Sequence, residues 1–290
     1  MAQQSNSKRH AAASTYWDSL DEKISEEAAQ GNSNTLDITV ESAIHATIGR
    51  CANSLDPPEI LDFDIHSFWR TIFLAAQNFD ADNPKQDTLL RYILYVREYG
   101  TVIRKASTTD NEIVLALTSN GQRIWTDLPF LVQDFYEWWF KDCMNMSTIQ
   151  RLNISSFVAR LVSVGICGNT LSGCALMTFR DALETPRRST SSDGGHELPI
   201  EDLLPALSSW LVYAPHKLTS LVGNSFNDFE DIRVSALGEL ALQAGVSEPG
   251  FNPSRWAFWK GRLADIYKTR AVGEASTILQ MMEDRDEEAK

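Results

Sequence analysis

The sequence predicts an all-α fold, an irregular multi-helix bundle or array of about ten helices. Three observations carry that expectation. Apolar residues recur every three or four positions in segment after segment, hardly any stretch alternates with the period of two that marks a strand, and several segments open with helix-starting residue pairs. No signature recurs at a fixed interval of roughly 30–45 residues, so regular helical-repeat families are not indicated.

Taken in order, Val40, Ala43, Ile44, Thr47, Ile48 and Cys51 share one side of a helix running to about the Asp56-Pro57-Pro58 break, and Phe68, Trp69, Ile72, Phe73 and Ala76 stripe the next. Asn83-Pro84 supplies a cap and a first-turn proline for a long helix carrying Leu89, Leu90, Ile93, Val96, Val102 and Ile103. Segment 126–145 places Leu131, Phe135, Trp138 and Trp139 on one face, with Asp134, Glu137 and Lys141 largely opposite. Ser147-Thr-Ile-Gln150 has the spacing of a capping box and opens a helix burying Leu152, Phe157, Leu161 and Val164. That helix loosens at Gly165–Gly173, and Ala175–Leu183 forms a shorter one. Leu203, Leu207, Trp210 and Leu211 begin another. Phe229, Ile232, Leu237, Leu240 and Ala244 then stripe a helix that Asp228 caps and Gly245 stops. The last strong helix starts at Asn252-Pro253, with Trp256, Trp259, Leu263 and Ile266 aligned.

A chain of 290 residues buries a core without disulfide or metal support. We expect a disordered segment at 1–14, a single all-helical domain over 15–282 and a charged tail at 283–290. Residues 184–199, rich in Ser, Gly, Pro and charge, form an exposed loop and the best internal boundary. No uninterrupted apolar run reaches the roughly 18 residues of a membrane span, and the N-terminus has no secretory apolar run. The expected location is intracellular, cytoplasmic or nuclear, where Cys51, Cys143, Cys167 and Cys174 remain thiols.

A net charge of −13 disfavours nucleic acid and anionic membranes as partners, because both reward a cationic face. The glycine-rich Gly165–Gly173 lacks the lysine of a phosphate loop, and no serine has the flanking glycines of a nucleophile elbow. His10, His45, His66, His196 and His216 lack metal-ligand spacing. Asn227-Asp228-Phe-Glu230-Asp231 reads as a helix start opposing the helix dipole, so neither a metal nor another cofactor is expected. In the exposed loop, Arg187-Arg188 precede Ser189, Thr190 and Ser191, which are candidate phosphorylation sites for a basic-directed kinase. The tryptophans lie on or beside apolar stripes and serve as core residues, or else line a pocket.

Trp125-x-Asp127-Leu-Pro129-Phe, Trp138-Trp139 and Leu152-Asn153-Ile-Ser-Ser-Phe157-Val-Ala-Arg160-Leu161 resemble, in that order, a fungal family known as domain of unknown function 3632. Arg180-Asp-Ala-Leu-Glu184, the Trp210 helix and Phe251-Asn-Pro-Ser-Arg255-Trp256-Ala-Phe-Trp259-Lys-x-Arg262 continue the resemblance, which covers roughly 60–270. Ser155 departs from it, standing where the family usually carries a second asparagine. The resemblance implies a fungal, intracellular, helical protein and brings no activity or catalytic residue. It is densest at Asn153, Arg160, Arg180, Glu184, Arg255 and Trp256, a candidate cluster for interaction or for holding helices together. The leading expectation is a non-enzymatic scaffold binding an unknown protein partner. The alternative is a small-molecule-binding protein or unconventional enzyme of fungal metabolism with a tryptophan-lined pocket for a small apolar ligand. Apolar helix faces can also close on a second copy as readily as within one chain, giving a homo-oligomer.

Overall fold

Where a helix is apolar on more than one face, it becomes the centre of its bundle. The computed structural model describes residues 2–53, 55–105, 113–187 and 198–288, with side chains from residue 16 onward except 144. Its contacts fall into two compact units, Met1–Lys141 and Asp142–Lys290.

In the first unit, α3 (Pro58–Asn78) is the central helix, packed against α1 (Ala2–Ala29), α2 (Asn34–Asn53) and α4 (Pro84–Glu98). It buries Ile65, Phe68, Trp69, Ile72, Phe73, Ala75 and Ala76. Large side chains of this kind contribute on the order of 1.5–3 kcal/mol each when fully buried. Asn83 caps α4 as its sequence predicts, accepting from the Lys85 amide at 2.9 Å. The buried Gln86 side chain ties α4 to the end of α3 by donating to the carbonyls of Ala76 at 3.0 Å and Phe79 at 2.6 Å.

Three local departures have physical causes. Helix α4 stops at Glu98 instead of reaching Ile103, because Gly100 turns the chain at φ 93°. The β-branched residues beyond it form a small antiparallel hairpin, β1 (Ile103–Lys105) with β2 (Ile113–Leu115), pairing Ile103 with Leu115, Arg104 with Val114 and Lys105 with Ile113. Helix α5 (Leu131–Asp142) starts five residues later than the expected 126. Pro129 disfavours helix at Leu128, and Trp125, Leu128 and Phe130 all take positive φ, at 65°, 47° and 65°. Helix α1 runs from Ala2, consistent with the helix propensity of Ala11-Ala12-Ala13.

In the second unit, α6 (Thr148–Ser163) is central and packs along α9 (Leu204–Tyr213). Its capping box forms as expected: Ser147 Oγ accepts from the Gln150 amide at 3.2 Å, and Gln150 Oε1 accepts from the Ser147 amide at 3.1 Å. The helix is buried continuously over 153–159, whereas Leu152 is only half-buried and Val164 is exposed, contrary to the expected stripe. Helices α7 (Gly168–Leu171) and α8 (Gly173–Phe179) follow, and a single π-helical turn, Arg180–Glu184, replaces the end of the helix expected through Leu183. Helix α10 is Pro215–Gly223.

The helix expected between Phe229 and Ala244 is broken into α11 (Ile232–Ser235) and α12 (Glu239–Gln243). Its cap is Asp231, accepting from the Arg233 amide at 2.9 Å, and not Asp228. Ile232 is 81% exposed and Val234 is buried in its place. Helix α13 (Pro253–Arg270) starts where Asn252 accepts from the Arg255 amide at 2.8 Å, and it buries all four expected residues. A further helix, α14 (Gly273–Glu288), buries Ala275, Ile278 and Met282 and absorbs most of the expected charged tail. The four cysteines are free thiols. Among the described residues, no helix is long and apolar enough to cross a membrane.

Replacing the capping hydroxyl tests the start of α6. Ser147→Ala leaves an amide of the first turn unpaired and should lower stability by about 1 kcal/mol, read as a shift in the urea midpoint.

Candidate functional site

The polar residues singled out by sequence divide into two groups. Arg180, Glu184 and Arg255 are brought together in the second unit, at a point where π-turn, broken helix and α13 meet. Glu184 and Arg255 have no exposed side-chain surface and form an ion pair, Nε to Oε1 at 2.6 Å and Nη2 to Oε2 at 3.1 Å. Arg255 Nη1 also donates to the carbonyls of Ser235 at 2.9 Å and Gly250 at 3.1 Å, and Nη2 to that of Ala236 at 2.9 Å. Its five N–H groups therefore all have acceptors. Glu184 accepts in addition from Trp259 Nε1 at 2.7 Å and from the Gly238 amide at 2.6 Å.

These contacts explain the break between α11 and α12. A continuous helix would use the carbonyls of Ser235 and Ala236 internally, and here they face Arg255 instead. Gly238 is required because a Cβ there would lie 2.5 Å from Glu184 Cβ. Arg180 Nη1 binds the carbonyl of Arg233 at 2.6 Å from the other side. Burial pushes the Arg255 guanidinium down from its ordinary value, and Glu184 pulls it back up. Trp256 is nearly buried, stacks on Phe179 and donates to Asp286 Oδ1 at 2.9 Å. Asn153 is buried within α6, and Arg160 lies over the Tyr213 ring at 4.3 Å. Groups enclosed this fully touch no solute, so the Glu184–Arg255 pair acts on the fold.

Of the tryptophans expected to be core or pocket residues, Trp125, Trp139, Trp210, Trp256 and Trp259 are core, and Trp138 is half-buried. Trp69, Trp125, Trp210 and Trp259 are fully buried. In the first unit Phe68 meets Trp125 edge-on at 5.0 Å, and Trp69 Nε1 donates to the Pro129 carbonyl at 2.7 Å. Ser189, Thr190 and Ser191 lie outside the described residues.

Two accessible arrangements in the first unit escaped the sequence reading. The first is an open cleft of about 520 Å3 between α2 and α4, lined by Glu41, Ile44 and His45 on one side and Thr88, Arg91, Tyr92 and Tyr95 on the other. Both sets follow three- and four-residue spacing, so each presents one helix face. Ile44 is the buried floor. The Tyr92 hydroxyl donates to Asp37 Oδ1 at 2.9 Å, which fixes the ring; burial, then Asp37, push that hydroxyl well above its ordinary range, so it stays protonated. Asp37 also accepts from Ser33 at 2.7 Å and Lys85 at 3.3 Å, and these bonds hold its carboxyl below the usual value against the opposing effect of burial.

The second is a histidine–carboxylate pair. His66 Nδ1 lies 2.8 and 2.7 Å from the two Asp134 oxygens, and its ring stacks on Phe130 at 4.3 Å. The two partners lie 68 positions apart, beyond the reach of local spacing. The Asp134 contact raises the His66 pKa above its ordinary value against the pull of burial, with Asp62 and Glu137 adding to the rise. Burial raises the Asp134 carboxyl as well, more than His66 lowers it. Both oxygens at the ring nitrogen favour the protonated imidazole over the neutral one. A raised histidine pKa gives stability that is complete below the unfolded value, about 6.5, and is lost as pH rises through the folded value. Between pH 5.5 and 8.5 the melting temperature of the native chain should therefore fall more steeply than that of His66→Gln. Parallel curves would rule the linkage out.

For the buried pair, Glu184→Ala leaves a charged guanidinium without its partner in the core. The expected loss is about 3–5 kcal/mol by urea denaturation, against less than about 1 kcal/mol if the pair were dispensable.

Comparison with known proteins gives a family match over residues 69–263, to the family described as "Protein of unknown function (DUF3632)". A protein named "Oxopyrrolidines biosynthesis cluster protein G", from Penicillium oxalicum (strain 114-2 / CGMCC 5302), is 31% identical over 227 residues, 74% of this chain. The aligned region spans 62% of that relative's length. No solved structure matches. The family match takes in Trp125–Phe130, α6, the π-turn with Glu184, and Arg255 with Trp259, so the chain belongs to the DUF3632 family.

Proposed function

We propose that this chain is a small-molecule-binding protein that takes its ligand in the cleft between α2 and α4. The single observation behind this reading is the cleft itself: about 520 Å3, with an apolar and aromatic wall of Ile44, Tyr92 and Tyr95 and a few polar groups, Glu41, His45, Thr88 and Arg91, converging on it. Ligand sites between helices have this size and composition. Tyr92 is held by Asp37 before any ligand arrives, which reduces the ordering cost of binding. The ligand class is a small amphipathic molecule, its ring or short chain against the tyrosines and a carbonyl or carboxylate at Arg91. A relative named for an oxopyrrolidines biosynthesis cluster supports a lactam carbonyl as that acceptor.

Titration of the full chain with N-butyl-2-pyrrolidone by protein-observed NMR tests this. Saturable shifts are expected, weakened about tenfold or more by Tyr95→Ala and by Arg91→Ala, which alter exposed side chains and should leave the melting temperature unchanged. Absence of saturation, or affinity in both variants equal to that of the native chain, would overturn the reading.

A protein-scaffold role is the second reading, supported by the hairpin. Ile103, Ile113 and Leu115 are 49%, 60% and 49% exposed on it. Its mark would be a native-cell partner lost on Ile113→Lys and retained on Arg91→Ala.

A further inference from the structure

A second cleft, in the other unit, concentrates cations in a chain of net charge −13. It measures about 320 Å3 and is lined by Arg187, Arg262 and Arg270, with Asp265 as its one carboxylate and Ile200 and Ile266 among its apolar residues. Arg262, Asp265, Ile266 and Arg270 follow the three- and four-residue spacing of α13, which places them on one face of that helix. Arg187 comes from the segment after the π-turn. Its guanidinium donates through Nη1 to the Leu198 carbonyl and through Nη2 to the Asp181 carbonyl, so its position is fixed.

A cation in the last turn of a helix ordinarily answers the helix dipole, and Arg270 alone would need no other account. That explanation does not extend to Arg262, two turns earlier, or to Arg187, which is off the helix. Arg262 spends only its Nε, in a long bond to the Leu183 carbonyl at 3.4 Å. Neither Arg262 nor Arg270 has an ion-pair partner among the described residues, although Asp265 stands on the same helix face. Arg187 interacts electrostatically with Asp181, whereas Arg262 and Arg270 line the cleft without an ion-pair partner among the described residues, and a bound dianion supplies their counter-charge while using their planar donor forks.

We infer that this cleft binds a small phosphate monoester, with the phosphate between Arg262 and Arg270 and the organic part against Ile266. The volume exceeds what a bare phosphate needs and sits at the lower end for organic ligands. Asp265 repels the dianion but accepts from a hydroxyl, which favours a hydroxylated ester such as a sugar phosphate. This inference is independent of the α2/α4 cleft, since it involves other residues and another ligand chemistry.

The test is a 31P NMR titration of glucose 6-phosphate with the full chain at low ionic strength. Saturable binding is expected, about tenfold weaker in Arg270→Gln, a change on an exposed side chain that should leave the fold and melting temperature intact. Lys141→Gln, at an exposed cation elsewhere, should bind like the native chain. Glucose, followed by protein-observed NMR, should not bind. No saturation below about 10 mM, a Kd near the weak end of specific recognition, would overturn the inference. Equal weakening by Lys141→Gln would overturn it too, because that pattern is diffuse charge attraction.

Discussion

The second unit is organised around one buried ion pair. Removing Glu184 and Arg255 from water costs several kcal/mol per charge, and their attraction offsets this only when every remaining donor and acceptor is also paired. The surrounding backbone is shaped to meet that condition. Segment 235–238 leaves the helix so that the carbonyls of Ser235 and Ala236 and the amide of Gly238 face the pair, and Gly250 turns at φ 78° with its own carbonyl on Arg255. The π-turn delivers Glu184 at full burial, and the Asn252 cap sets where Arg255 enters α13. A hydrophobic pair would demand none of this from the backbone, so the ion pair selects one arrangement of the chain among many compact ones.

That dependence explains which parts of the fold were legible in the sequence. Ser147, Asn83 and Asn252 cap helices through bonds that span two or three residues, so a local pattern is enough to read them. The stripe of α13 is equally local. The break between α11 and α12 is not: Ile232, Leu240 and Ala244 have helical spacing, and the segment is interrupted by a charge more than ten positions away. Gly238 was the one available signal, and its meaning depends on Glu184, 54 positions earlier. The hairpin likewise had a visible cue in Gly100 and the β-branched residues beyond it.

Site residues followed the same rule. Arg180, Glu184 and Arg255 came to notice through a family resemblance, which picks out positions without stating a role; the geometry places Glu184 and Arg255 in a fully buried ion pair and Arg180 on the carbonyl of Arg233. Glu41, Arg91 and Tyr92 drew no notice, because on a single helix they look like an ordinary solvated face. A cleft is a property of two such faces set side by side, here tied at one end by the bonds of Tyr92 and Lys85 to Asp37. The arginines of the second cleft are similarly unremarkable one by one, and become unusual only when α13 and the post-π segment are placed side by side.

The loop over 125–130 poses the opposite problem, a backbone that looks unfavourable. Three non-glycine residues at positive φ cost on the order of 1–3 kcal/mol each. Trp125 offsets part of this by burying its whole ring against Phe68 and Trp69, and the Pro129 carbonyl, freed by the irregular backbone, accepts from Trp69. The same conformation carries Phe130 onto the His66 ring, while α5, beginning one residue later, brings Asp134 to its Nδ1. A regular helix from 126 would occupy the Pro129 carbonyl internally and move Phe130 off the imidazole. The strain is therefore tied to His66: relaxing the loop would remove both the stacking partner and the anchor that keep the imidazole beside Asp134.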